Sequence, residues 1–185
     1  MIDSLCDQAG EKGLAVAWLY CDFLTHQEQS ATAVLGAILK QLVGTREIPE
    51  NVRQTFRKQF SDRSLRLSDI AGMLKATISL LPLAFICIDA LDESTPKSRQ
   101  ELLGSLRDIV QESPSTRVLF TGRPHVEYEV KKYFTNVITV PVSPNVGDIR
   151  VYLDARLDGD PEPYAMDDDL RRDIMRIIPE IISKA

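Results

Sequence analysis

Leu83-Ala84-Phe85-Ile86-Cys87-Ile88-Asp89-Ala90-Leu91-Asp92-Glu93 is the stretch that decides the fold of this chain. Its first six residues are apolar and of strand length, the pattern of a β-strand covered on both faces. The strand then runs straight into acid. Working outward, Leu14 to Phe23 (LAVAWLYCDF) is a second run of the same kind, with Trp18 and Tyr20 expected in the core. Arg117 to Thr121 (RVLFT) is a third strand, broken by Gly122-Arg123-Pro124, and Val137 to Val140 (VITV) a fourth, ended by Pro141. Between them the apolar spacing turns helical. Ser30 caps a helix carrying Val34, Leu35, Ile38, Leu39 and Leu42, and Pro49 opens another with Val52, Phe56 and Phe60. Ser68 caps a third, with Ile70, Leu74, Thr77, Ile78 and Leu81, and Pro96 starts a fourth, with Leu102, Leu103, Leu106, Ile109 and Val110. His125 to Phe134 is a short helix, and Ile2 to Gln8 the tail of one closed by Gly10 and Gly13. Buried strands alternating with helices predict an α/β fold, a doubly wound parallel sheet.

Beyond Pro144 the strands cease. Asn145 to Leu157 and Asp167 to Ala185 are two helices joined by the turn-rich Asp158-Gly159-Asp160-Pro161-Glu162-Pro163. The expected organisation is an α/β domain over residues 1–143 and the start of a helical appendage over 144–185.

Composition narrows the function classes. The 185 residues are 44% hydrophobic and 26% charged, the balance of a globular domain. With 22 basic and 27 acidic side chains the net charge is −5, which gives no electrostatic footprint for general nucleic-acid binding. No apolar run approaches the ~20 residues of a membrane span. The three cysteines, Cys6, Cys21 and Cys87, form no CxxC pair, and a cytoplasmic location is expected. His26 and His125 stand alone, without metal-ligand spacing.

Ligands of an open parallel sheet gather at the carboxyl ends of its strands. Asp89, Asp92 and Glu93 put three carboxylates at one such end, where a hard Mg²⁺ is held by one carboxylate and several waters, and another acid orients an attacking water. The plain alternative is that Asp89 and Asp92 cap the following helix. Arg123 follows the third strand as Asp89 follows the second. Its planar fork suits a terminal phosphate or an ion pair with one of the acids, and the two roles are compatible.

The string LAFICIDALDES resembles the Walker B segment of NACHT-type P-loop NTPases of the STAND class, and VLFTGRPH is similar to their sensor 1 strand. Together with LAVAWLYCDF, these motifs resemble fungal members with a nephrocystin-like N-terminal domain, over roughly Ile2 to Leu157. The resemblance implies a three-layer fold and a signalling switch that binds ATP or GTP with Mg²⁺. Asp89 would then be the metal residue, Asp92 and Glu93 the catalytic acids and Arg123 the nucleotide sensor. Self-association, and effector and repeat domains elsewhere in the parent protein, are also implied. The other reading left open is a nucleotide-independent interaction module with a degenerate NTPase fold.

No G-x-x-x-x-G-K-[ST] phosphate loop occurs in these residues. By comparison with the family it should lie ~10 residues upstream of Ile2, so the chain is expected to lack the first strand and the Walker A loop. A fragment, a late start and a true loss all remain open. The chain as given is expected to bind no nucleotide tightly. The strand missing from the family's sheet would lie between RVLFT and VITV, leaving VITV two strand spacings away or collapsed onto RVLFT, with open edges and marginal stability.

Overall fold

The computed structural model describes residues 14–24, 29–44, 50, 53–54, 65–143, 145–159 and 166–182. Three parallel strands form one sheet in the order β1 (Ala15–Tyr20), β2 (Ala84–Asp89), β3 (Thr116–Phe120). The register sets Ala15 beside Ala84 and Ala84 beside Thr116, and runs unbroken to Tyr20 beside Asp89 and Ile88 beside Phe120.

Helices α1 (Ala31–Gly44), α2 (Leu67–Ile78) and α3 (Pro96–Glu112) pack on one another and on one face of the sheet. The face is identified by alternation. Ala15, Ala17, Ala84, Ile86 and Ile88 belong to the core cluster, whereas Val16, Trp18, Phe85 and Leu119 on the opposite face do not. The core is completed by the expected stripes: Val34, Leu35, Ile38, Leu39 and Leu42 from α1, and Leu102, Leu103, Leu106 and Ile109 from α3. Ser30 caps α1, its Oγ accepting from Ala33 N at 3.2 Å. After β3 come a 3₁₀ turn (Pro124–Val126) and α4 (Glu127–Tyr133), whose Val130 also reaches the core.

The chain divides into two compact units, residues 1–137 and 138–185. The second contains α5 (Val146–Asp158), capped by Asn145, and α6 (Asp168–Ile182). Arg171 on α6 pairs with Asp154 and Asp158 on α5 at 2.6 and 2.7 Å.

Four expectations are corrected. Val137 to Val140 forms no strand, and Ile138 and Val140 are exposed. A β-branched run is a strand only where a neighbour takes its backbone bonds, and the described ladder ends at β3. Trp18 and Tyr20 lie outside the core because, among the described residues, β1 ends the sheet and the helices cover its other face. The cap of α2 is Arg66, not Ser68: the Asp69 carboxylate reaches back to accept from Arg66 N at 3.1 Å, so the helix begins before Ser68. Asp89 and Asp92 do not cap α3; Thr95 does, its hydroxyl accepting from Ser98 N at 3.2 Å with Pro96 at the first helical position. The helices expected at Ile2–Gln8 and behind Pro49 lie largely outside the described residues.

Candidate functional site at the carboxyl ends of β2 and β3

The site begins with one residue, Thr121. It extends the ladder past the end of β3, its N–H donating to Ile88 O at 3.0 Å and its C=O accepting from Leu91 N at 2.9 Å. Its hydroxyl accepts from Ala90 N at 3.0 Å and donates to the Asp89 carboxylate. Asp89 is thereby held at the sheet's carboxyl end by the neighbouring strand. Ala90 turns the chain in the left-handed region, at φ 53°, which a small residue tolerates and a β-branched one does not.

The turn hands the chain to a 3₁₀ element, Leu91–Glu93, that aims the other two acids elsewhere. Glu93 Oε2 accepts from Phe23 N at 3.0 Å, tying the loop after β1 to the acid turn. Asp92 faces Arg123: Oδ1 accepts from Arg123 N at 3.2 Å, and Oδ2 lies 3.3 Å from Nε. The Asp92 side chain is 9% exposed and that of Arg123 76%. The guanidinium therefore stands at the surface over a nearly buried carboxylate. Gly122 makes this approach possible, since a Cβ there would come within 2.9 Å of Val126 Cγ2 and 3.1 Å of Asp92 Oδ1.

Beneath the acids lies a buried arginine. Arg99 of α3 donates from Nε and Nη2 to both oxygens of Glu129 on α4, each at 2.9 Å. Its Nη1 donates to Ser94 O at 2.8 Å and to Asp92 O at 3.5 Å. A fully desolvated guanidinium demands such saturation. The bidentate bond from Arg99 holds the Glu129 carboxyl below the usual carboxylate range. Arg99 thus joins the acid turn to the helix that follows Arg123. Sequence reasoning missed Arg99, Glu129 and Thr121. One signal was available: Arg99 occupies the same stripe of α3 as Leu102, Leu103, Leu106 and Ile109, where a charge needs a partner.

The field of the cluster is felt at Cys21, just past β1. Its thiol is pushed up to about 11, first by burial and then by Asp89, Glu93 and Asp92, with Arg99 pulling the other way. So Asp89, Asp92, Glu93 and Arg123, all read from the sequence, lie at one mouth. Arg123 meets Asp92 rather than Asp89. Among the described residues no three His, Cys, Asp or Glu side chains converge as a metal cage. The donor set fits Mg²⁺ only as that ion is ordinarily held beside phosphates, by one or two carboxylates with water and phosphate oxygens completing the shell.

With that geometry in hand, the comparison with known families is decisive: the family described as Nephrocystin 3, N-terminal matches residues 1–123, from the first residue through Arg123. The chain belongs to the nephrocystin 3 N-terminal family. The match takes in β1, β2 and β3 and every acid of the mouth. No curated protein matches the chain. Among solved structures, the ORC1 protein of Aeropyrum pernix in complex with DNA is similar at a TM-score of 0.53 and 22% identity, over 99% of this chain and 50% of that one. This chain therefore spans about half the length of that relative, and the likeness shows a P-loop NTPase-type α/β fold for this nephrocystin 3 N-terminal domain.

Proposed function

We propose that this domain is the nucleotide-responsive core of a NACHT-type signalling NTPase of the STAND class, with the end of β2 as its Walker B segment and the end of β3 as its sensor. The observation that carries the reading is Asp89, fixed by Thr121 at the end of the middle strand, with the exposed Arg123 at the end of the next. Ligands of open parallel sheets collect there. Asp89 would hold Mg²⁺, which supplies charge neutralisation for the phosphate oxygens of ATP or GTP. Arg123 would meet the terminal phosphate, and Asp92 or Glu93 would orient the attacking water. The Asp92–Arg123 pair gives the switch its logic. A terminal phosphate competes with Asp92 for the guanidinium, so its arrival frees the carboxylate and its loss restores the pair.

The test is nucleotide binding and turnover in the longest natural form of the protein. Asp89→Asn should abolish Mg²⁺-dependent binding, Arg123→Ala should erase any preference for triphosphate over diphosphate, and Glu93→Gln should slow hydrolysis more than binding. Unchanged behaviour in all three sinks the assignment. A second reading, a nucleotide-independent interaction module, is favoured by one fact: Asp92 and Glu93 both serve internal hydrogen bonds, to Arg123 and Phe23. That reading predicts loss of stability in the variants with no nucleotide effect to lose. The DNA in the ORC1 complex does not carry over, because a net charge of −5 gives no general attraction for phosphate backbones.

A further inference from the structure

Among the described residues no strand lies beyond β1, and the outer edge of β1 is occupied by side chains. Residues at odd positions bond to β2, as in Ala15 N to Leu83 O at 3.1 Å and Cys21 N to Asp89 O at 2.9 Å. The backbone groups of Trp18 and Tyr20 therefore face away from the sheet. Gln41, in the C-terminal half of α1, accepts from Trp18 N at 2.9 Å and donates to Trp18 O at 2.7 Å. That exchange of both bonds with one residue is what a hydrogen-bonded partner on an antiparallel strand makes. Gln29 donates to Tyr20 O at 3.2 Å and accepts from Asp22 N at 3.1 Å, bonding one carbonyl and the amide two residues on, as a parallel neighbour does. Two primary amides thus make the bonds that a neighbouring strand would make. Beside them Trp18, Tyr20, Phe23 and Leu24 are exposed apolar side chains.

We infer that Gln29 and Gln41 hold the β1 edge closed against strand addition by a second copy of this chain. An edge with unpaired backbone groups and apolar side chains is the kind that pairs with other chains. The occupant follows from the bonds at Trp18. A second Trp18, brought in antiparallel, offers the same two groups that Gln41 supplies, and a pair centred on one residue in both copies is the two-fold contact that closes on itself. It would join two sheets of three strands edge to edge. This inference is independent of the nucleotide reading.

Amide hydrogen exchange on the 185-residue chain tests it directly. The Trp18 and Asp22 amides should exchange roughly tenfold more slowly than the Tyr20 amide, which lies on the same edge with no partner among the described residues. Exchange as fast as at Tyr20 overturns the inference, and this measurement needs no variant to fold. In Gln29→Ala/Gln41→Ala both amides should speed up, and sedimentation should show larger species that grow with concentration. Adding Tyr20→Lys, which places a charge on the edge, should return the parent's size without slowing the amides. A double variant with the parent's circular dichroism and sedimentation refutes the closure, and so do large species that persist with Lys at position 20.

Discussion

Cys21 reads the acids from inside. Its titration near 11, against 9.0 for a free thiol, means that between those values the unfolded chain has released a proton that the folded chain keeps. Its contribution to stability is thus fully present below about pH 9 and is lost as pH rises toward 11. After burial, Asp89 is the main cause of the shift, so Asp89→Asn should bring the thiol's titration down toward 9. Iodoacetamide trapping from pH 8 to 11, read on the Cys21 peptide by mass spectrometry, checks this; an identical profile in the variant would remove Asp89 from the thiol's surroundings. Glu129 has the opposite sign. Its folded pKa lies below the ordinary 4.5, so its stabilisation is present above that value and disappears as pH falls through the lower one. Glu129→Gln should therefore flatten the acid limb of the stability curve. Because Arg99 would be left buried without its carboxylate, the variant should also lose about 2 kcal/mol at neutral pH, less than a fully buried pair since Glu129 is partly solvated. Urea melts at pH 3.5, 4.5 and 7 measure both effects, and a constant difference across that range would contradict the assignment.

Gly122 and Thr95 bracket the acid turn from the two elements that frame it, and they separate site geometry from helix stability. Gly122→Ala sets a methyl 2.9 Å from Val126 Cγ2 and 3.1 Å from Asp92 Oδ1, so the side chains of Val126 and Asp92 or the turn itself must shift, and the Asp92–Arg123 contact should be disturbed. A cost of about 1–3 kcal/mol follows from such overpacking. Thr95→Ala removes only the α3 cap, at about 1 kcal/mol, and should leave the Asp92–Arg123 pair in place. Two-dimensional NMR of the Arg123 Nε–H distinguishes the two: it should move in the first variant and not in the second. The same elements show what sequence could and could not tell. Continuous apolar runs of strand length located β1, β2 and β3, and apolar spacing of 3.6 located the core stripes of α1 and α3. Asp89, Asp92, Glu93 and Arg123 were legible because charge at strand ends is conspicuous. Their partners were not, since Thr121 meets Asp89 and Glu129 meets Arg99 across 30 or more residues, which no local pattern encodes. Val137–Val140 misled for the same reason: strand propensity reports fitness for a neighbour, not the presence of one.

Among the described residues the hydrophobic core lies within the first compact unit, and Val137 is the last of them packed against it. From Ile138 onward the described residues are mostly exposed, with Ile149 and Pro179 the buried exceptions. The helices α5 and α6 are held to each other partly through Arg171 and its two aspartates, pairs on the surface that salt will screen. Stability and pairing thus come from different physics in the two units. A chain ending at Ser143 should keep the parallel sheet, with its urea midpoint shifted by no more than about 1 kcal/mol in free energy, because no residue of the core cluster is removed. Residues 138–185 alone should lose helicity gradually rather than cooperatively, since two helices of 13 and 15 residues with little buried apolar surface fall near the length at which isolated helices are marginal in water. Raising salt from 0.05 to 1 M, roughly 14 to 3 Å in screening length, should lower that helicity further while leaving the Ser143 chain unchanged. Circular dichroism of the two polypeptides decides the matter. A Ser143 chain that fails to unfold cooperatively would show that the second unit completes the core of the first, and would overturn the division drawn from the packing.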